Sequence, residues 1–244
     1  MTHYPFPDSR GTKIAFAAFF TAMLFLARDS MFTTAVIGFE KAQFLMLGVI
    51  CLLGVAFLIA NRRNLLQILK DRRMIVVVVS AAVCLLPMLV KRDWQLMYFS
   101  VLLCLLTAVL LSYFLTVREA AKYYVVILSV LGAYSVLAAY ILRIGVDSGA
   151  YAVPVFRNSM GFEFHNFFLS IVPDTYVKNR NFGIFREPGV YQFFLITALY
   201  LNNYEVEWKK TWQLWLVNGI LAATMVSTFA TGGVAEMGLL AIVL

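Results

Sequence analysis

Apolar residues come in long unbroken blocks along this chain. They neither alternate, as in a half-buried strand, nor recur every third or fourth position, as on an amphipathic helix. A bilayer core of about 30 Å takes about 20 helical residues. Six blocks meet or approach that length: residues 14–27, 42–60, 74–90, 96–117, 123–144 and 188–201. A seventh, 214–229, follows the charged connector 205–210, and an eighth begins near Val234 and is still apolar at Leu244. The pattern predicts an all-α, polytopic integral membrane helical protein with about seven to eight transmembrane helices. These form a single transmembrane domain over residues 1–244, with one long outer connector at 147–187. An eighth block broken off so soon is expected to continue in a longer chain.

Composition sharpens this reading. Hydrophobic residues make up 62% of the 244 positions and charged ones 14%, against about 45–50% and about 25% in average soluble domains. Disorder is excluded by the abundance of aromatic and branched side chains. The net charge of +7 does not point to nucleic acid, because most Lys and Arg stand at the ends of apolar blocks, where they anchor a span. Cys51, Cys84 and Cys104 lie inside apolar blocks at unrelated spacings, so no disulfide framework or metal pattern is expected. The connector bearing Arg62, Arg63, Lys70, Arg72 and Arg73, with Asp29, Glu40 and Asp93 on the opposite side, favours a cytoplasmic N-terminus.

The 147–187 connector is the one long stretch between blocks, and loops of that length are usually functional or disordered. Its middle is crowded with Phe156, Phe162, Phe164, Phe167 and Phe168, which predicts a segment lying at the membrane interface or re-entering it. A lid that merely packs over the helices is the plainer alternative. Its polar members include Arg157, Asn158, Glu163, His165, Asn166 and Asp174.

The connector ends in Arg180-Asn181-Phe182-Gly183-Ile184-Phe185-Arg186-Glu187-Pro188-Gly189-Val190-Tyr191. Pro188 suits the first turn of a helix, where its missing N–H costs nothing, and Glu187 then stands at or just before the cap. Arg180 and Arg186 beside the positive end of that helix would make an anion site suited to phosphate. Gly183 and Gly189 would let backbone approach a bulky ligand. Plainer readings stand beside these. Arg186 pairs with Glu187 or with lipid headgroups, Arg180 anchors at the interface, His165 is a hydrogen-bonded interfacial residue, Glu187 only caps, and Tyr191 only packs.

At this stretch the chain resembles the superfamily of bacterial O-antigen polymerases and O-antigen ligases, whose members carry an Arg-x-x-Gly-x-Phe pattern followed by a polar pair, a proline and a span. Phe185-Arg186-Glu187-Pro188-Gly189-Val190-Tyr191 is most similar to the version in capsule and exopolysaccharide polymerases. Ser227-Thr228-Phe229-Ala230-Thr231-Gly232 is similar to the Ser/Thr-rich segment that opens the next span, with Ala230 where another Ser or Thr is common.

The resemblance implies a metal-independent membrane glycosyltransferase, without cofactor, that polymerises polyprenyl-pyrophosphate-linked glycan repeat units on the outer face of the bacterial plasma membrane. On the residues themselves, Arg180 and Arg186 are the expected pyrophosphate ligands, Glu187 or His165 the proton acceptor, and Gly183, Gly189, Tyr191 and Arg157 the substrate contacts. His165 does not correspond to the loop histidine of the ligases, which falls in a later outer loop. The lipid bilayer, a chain-length regulator and a flippase are the implied partners. The competing readings are an O-antigen ligase-type transferase and, from another class, a transporter or flippase of lipid-linked or anionic substrates. The transporter reading expects ionisable groups at mid-bilayer depth, and the spans carry almost none.

Overall fold

The computed structural model describes residues 18–19, 21–26, 30–31, 38, 41–42, 44–49, 52, 55, 72–92, 105, 108–109, 112, 115–157, 161–174 and 180–229. The chain divides into two compact units, one of Met1–Ile14 with Gln43–Thr116 and one of Ala15–Ala42 with Val117–Leu244.

In the first unit helix α1 runs Arg72–Lys91. Its valine-rich sequence is helical despite β-branching because nothing breaks the run until Pro87, which falls in the last turns. Ile75, Val78, Val83 and Leu86 along it are exposed, whereas Cys84 and Met88 are buried.

The second unit is built on α2 (Val117–Leu137), which passes without interruption into a π-helical turn at Ala138–Leu142 and a last α-helical turn, α3 (Arg143–Asp147). Two antiparallel helices, α4 (Pro188–Tyr204) and α5 (Thr211–Ser227), pack on α2. Their shared core is Val125, Leu128, Leu131, Leu195, Ala198, Leu199, Leu221 and Met225. Close approach of α2 to α5 depends on Gly132: a β-carbon there would meet Thr224 Oγ1 at 2.7 Å.

Between α3 and α4 the chain forms three short strands, β1 (Val155–Arg157), β2 (Glu163–Asn166) and β3 (Ile171–Pro173), in an antiparallel sheet of order β1-β2-β3. Alternation sends Phe164 and Ile171 to one face, against Met31 and Phe182. Val172, directly opposite His165, goes to the other face, against Ala138 and Ala139 of the π turn. Beyond β3 the backbone continues the pairing: Ile171 N–H donates to the Gly183 carbonyl (2.7 Å), and Met31 N–H to that of Ile184 (2.8 Å).

These observations correct the predicted fold class. Among the described residues one helix, Val117–Asp147, is long and apolar enough to cross a membrane, and the apolar helix Ile75–Val90 is shorter. The fold is therefore mainly helical with a small sheet, not an all-α array of seven to eight spans. The apolar blocks at 188–201 and 214–229 are helices of 17 residues whose inner positions serve tertiary packing as well. An apolar run reports burial, and burial against protein reads the same as burial in lipid. The aromatic connector, expected as an interfacial or re-entrant segment, packs Phe156, Phe162 and Phe164 on one face of the sheet and Phe167 on the other, while Phe168 stands exposed in the turn between β2 and β3. The block at 96–117 lies largely, that at 42–60 about half, and 234–244 wholly outside the described residues, as does part of 14–27.

Candidate functional site

The segment bearing the quoted arginines is a buried loop held by a closed polar network. Asn181 through Phe185 are all buried, while Arg180 is half-buried and Arg186, Glu187 and Gly189 are exposed. Asn181 is the hub. Its amide nitrogen donates to Ser135 Oγ on α2 (2.8 Å) and to Ser227 Oγ on α5 (2.9 Å), and its amide oxygen accepts from Gly183 N–H (2.9 Å). Its backbone N–H donates to the Ser227 carbonyl at 3.0 Å. Ser135 Oγ gives its proton to the Gly132 carbonyl (2.8 Å), so the Tyr191 hydroxyl, 3.0 Å away, donates to it. Gln192 Nε2 donates to Thr228 Oγ1 at 2.7 Å. Both sequence stretches singled out for their resemblance, 180–189 and 227–232, thus meet: Asn181 bonds Ser227, and Gln192, just beyond the first, bonds Thr228.

Gly183 has φ +55°, and a β-carbon on it would meet the Tyr191 ring at 2.6 Å. The space expected for a ligand beside Gly183 is filled by Tyr191, itself fully buried. Gly189 differs, because nothing lies within 4 Å of where its β-carbon would be. Pro188 occupies the first helical position of α4, and Glu187 is the N-cap with extended backbone (φ −139°, ψ 144°). The Glu187 side chain makes no capping hydrogen bond, which leaves the first free amides of α4 facing an exposed rim. Arg186 Nε stands 3.7 Å from Glu187 Oε1, with both side chains more than half exposed. Arg180 has no ion-pair partner among the described residues.

The remaining expected residues lie on the sheet. Arg157 is engaged across the hairpin, its Nε donating to Glu163 Oε1 at 2.8 Å. His165 Nε2 pairs with Asp174 Oδ1 at 3.2 Å, and its Nδ1 is enclosed without a hydrogen-bond partner among the described residues. Asp174 is held in turn, since buried Arg143, at the end of the π turn, donates from Nη2 to the Asp174 carbonyl (3.0 Å) and from Nε to Asp147 Oδ2 (3.3 Å). Tyr134 ties down the same hairpin through the Phe167 carbonyl (2.7 Å). His165 and Glu187 therefore sit on different elements, one enclosed and the other exposed. Asn158 lies outside the described residues.

Sequence reasoning passed over Asn181, Ser135, Arg143 and the pairing of Asp174. A signal existed for Asn181, because Asn two residues before Gly is the signature of a turn in which the side chain accepts from the backbone N–H two residues on. Arg143 gave none, since an arginine closing an apolar block reads as an interfacial anchor.

Comparison with family models, curated proteins and solved structures finds no match to this chain. The resemblance to O-antigen polymerases and ligases rests on the quoted residues alone.

Proposed function

We propose that the chain belongs to a membrane glycosyltransferase that polymerises polyprenyl-pyrophosphate-linked glycan units at the outer face of the bacterial plasma membrane. The observation that carries this reading is the rim around the α4 N-terminus. Two arginines bracket a rigid buried loop, the first amides of a long helix are uncapped by Glu187, and open space adjoins Gly189. In the proposed step an acceptor hydroxyl attacks the anomeric carbon of the donor. The bond from that carbon to the pyrophosphate oxygen breaks, and polyprenyl pyrophosphate leaves with the electron pair. Negative charge develops on the leaving oxygens, where Arg180, Arg186 and the helix dipole oppose it.

The hydroxyl proton passes to Glu187. Of the two acceptors considered, its carboxylate is exposed on the rim, while the free nitrogen of His165 is enclosed. The same rim suits a ligase that hands the glycan to another acceptor, and the product distinguishes the two. Arg180→Ala and Arg186→Ala in the full-length protein are expected to abolish polymer at unchanged protein level. Normal polymer length and yield in both variants would remove the assignment.

A further inference from the structure

The turn between β2 and β3 breaks two local rules within three residues. Phe168 stands at φ +70°, in the left-handed region that a bulky side chain rarely enters. Arg92 and Phe229 also have positive φ, but each lies just past the end of a helix, where one left-handed residue is a usual way to stop. Phe168 has no such reason. Burial does not compensate it either, because the residue is 76% exposed. Two positions on, Ser170 is fully buried, and its Oγ has no hydrogen-bond partner among the described residues. Glycine at 168 and alanine at 170 would avoid both costs. Departures of this kind concentrate where function selects a sequence against stability.

The turn is held at several points. Phe168 N–H donates to Asn166 Oδ1 at 2.9 Å, Phe167 N–H to the Ser170 carbonyl at 2.9 Å, and the Tyr134 hydroxyl to the Phe167 carbonyl at 2.7 Å. The exposed ring is therefore carried on a fixed backbone. The turn also adjoins the arginine-bearing loop. Leu169 packs against the core cluster that contains Ile184, Phe185 and Tyr191, and Ile171 N–H is bonded to the Gly183 carbonyl. Half-buried Asn166 commits its amide oxygen to the turn, while its Nδ2 makes no hydrogen bond among the described residues. One turn thus offers a bare apolar ring face and an amide with two protons to donate. A pyranose ring matches that pair, since it has C–H groups on its face and hydroxyls around its edge. A hydrocarbon chain would leave the amide unused.

We infer that Phe168 and Asn166 are substrate-contact residues for a pyranose ring of the glycan, Phe168 against its C–H face and Asn166 Nδ2 on a hydroxyl. The inference rests on the glycosyl-transfer reading and adds to it the place where sugar, as distinct from pyrophosphate, is held.

The test uses the full-length protein in detergent micelles. Its probes are the lipid-linked donor extracted from cells that lack the protein, and the same oligosaccharide freed from lipid by mild acid. Phe168→Gly should melt at the same or a higher temperature, because glycine suits the left-handed backbone. It should nevertheless raise the donor KM severalfold and weaken saturation transfer from aromatic protons of the protein to the C–H protons of the free oligosaccharide. Phe168→Trp should keep both at the parent level. Asn166→Asp retains the acceptor for Phe168 N–H but loses the donor, and should raise KM at an unchanged melting temperature. A lower melting temperature in Phe168→Gly would make the ring a structural element and overturn the inference. A parent KM in either Phe168→Gly or Asn166→Asp, with synthesis lost in Arg180→Ala and Arg186→Ala, would overturn the sugar contact alone. Normal synthesis in both arginine variants would instead remove the glycosyl-transfer reading.

Discussion

Gly183 lies flat against the Tyr191 ring, and a β-carbon on it would approach that ring to 2.6 Å. The contact joins the arginine-bearing loop to the first turn of α4 without any polar group between them. Gly183 is also in the left-handed region, at φ +55°, where a side chain costs about 1–2 kcal/mol. Gly183→Ala adds an overpacking cost of about 1–3 kcal/mol, because Tyr191 is fully buried and has nowhere to turn. The variant should melt at clearly lower temperature in detergent micelles. Pairing it with Tyr191→Leu should make the two losses less than additive, since the second change frees the space. Strict additivity would show that the ring contact does not limit this position.

Asn181 offers a second prediction. Its amide joins α2 through Ser135 and α5 through Ser227, both buried, while holding the Gly183 N–H. Asn181→Leu strands the buried Gly183 N–H, at about 1–3 kcal/mol, and takes one bond from each serine, whose hydroxyl keeps its carbonyl acceptor. Asn181→Asp keeps the acceptor but loses both donors. Both variants should lose more stability than Ser227→Ala, which deletes one partner and leaves the amide its bond to Ser135. Equal melting temperatures for Asn181→Leu and Ser227→Ala would mean that the network contributes pair by pair.

How much of this was legible beforehand follows from which forces are local. The helices at 72–91, 117–147, 188–204 and 211–227 correspond to predicted apolar blocks, and Pro188 stands at the first helical position. Runs of apolar residues and a proline at N1 act over a few residues, so they can be read in order along the chain. The sheet could not be read this way. Phe164 and Phe167 look alike in sequence, yet one faces Phe182 and the other Ala138, a division set by strand register and by which partners arrive from 134–139 and 182. Gly183 illustrates the same limit at the site: its glycine suggested room for a ligand, and the room is taken by a ring eight residues on. Span counting failed for a related reason, because tertiary burial and lipid both reward the same residues.

Gly132 tests how α2 seats on α5. Its missing β-carbon would stand 2.7 Å from Thr224 Oγ1, a hydroxyl already donating to the Ile220 carbonyl at 2.7 Å. Because Thr224 is β-branched and fully buried, rotation gives little relief. Gly132→Ala should cost about 1–3 kcal/mol, Gly132→Leu should prevent stable packing, and Thr224→Ala should restore most of the loss in Gly132→Ala. Thermal unfolding of the four proteins checks this. An unchanged Gly132→Leu would show that the helices do not pack closely here.

The last prediction separates the two proton acceptors. Glu187 stands at the exposed cap of α4 beside Arg186, whereas His165 has one nitrogen on Asp174 and the other enclosed. If the proposed transfer runs through Glu187, Glu187→Gln should lower polymer synthesis by about 10²–10⁴-fold without lowering the melting temperature, since its side chain makes no capping bond. His165→Gln should do the reverse: it removes a pairing that ties β2 to the residue just after β3, so stability falls while synthesis per folded molecule persists. Asp174→Asn should resemble His165→Gln, because Asp174 reaches the rim only through the hairpin that Arg143 anchors. Full synthesis in Glu187→Gln, with loss in His165→Gln at unchanged melting temperature, would transfer the role of base to the histidine. It would also require the enclosed nitrogen to open toward substrate during turnover.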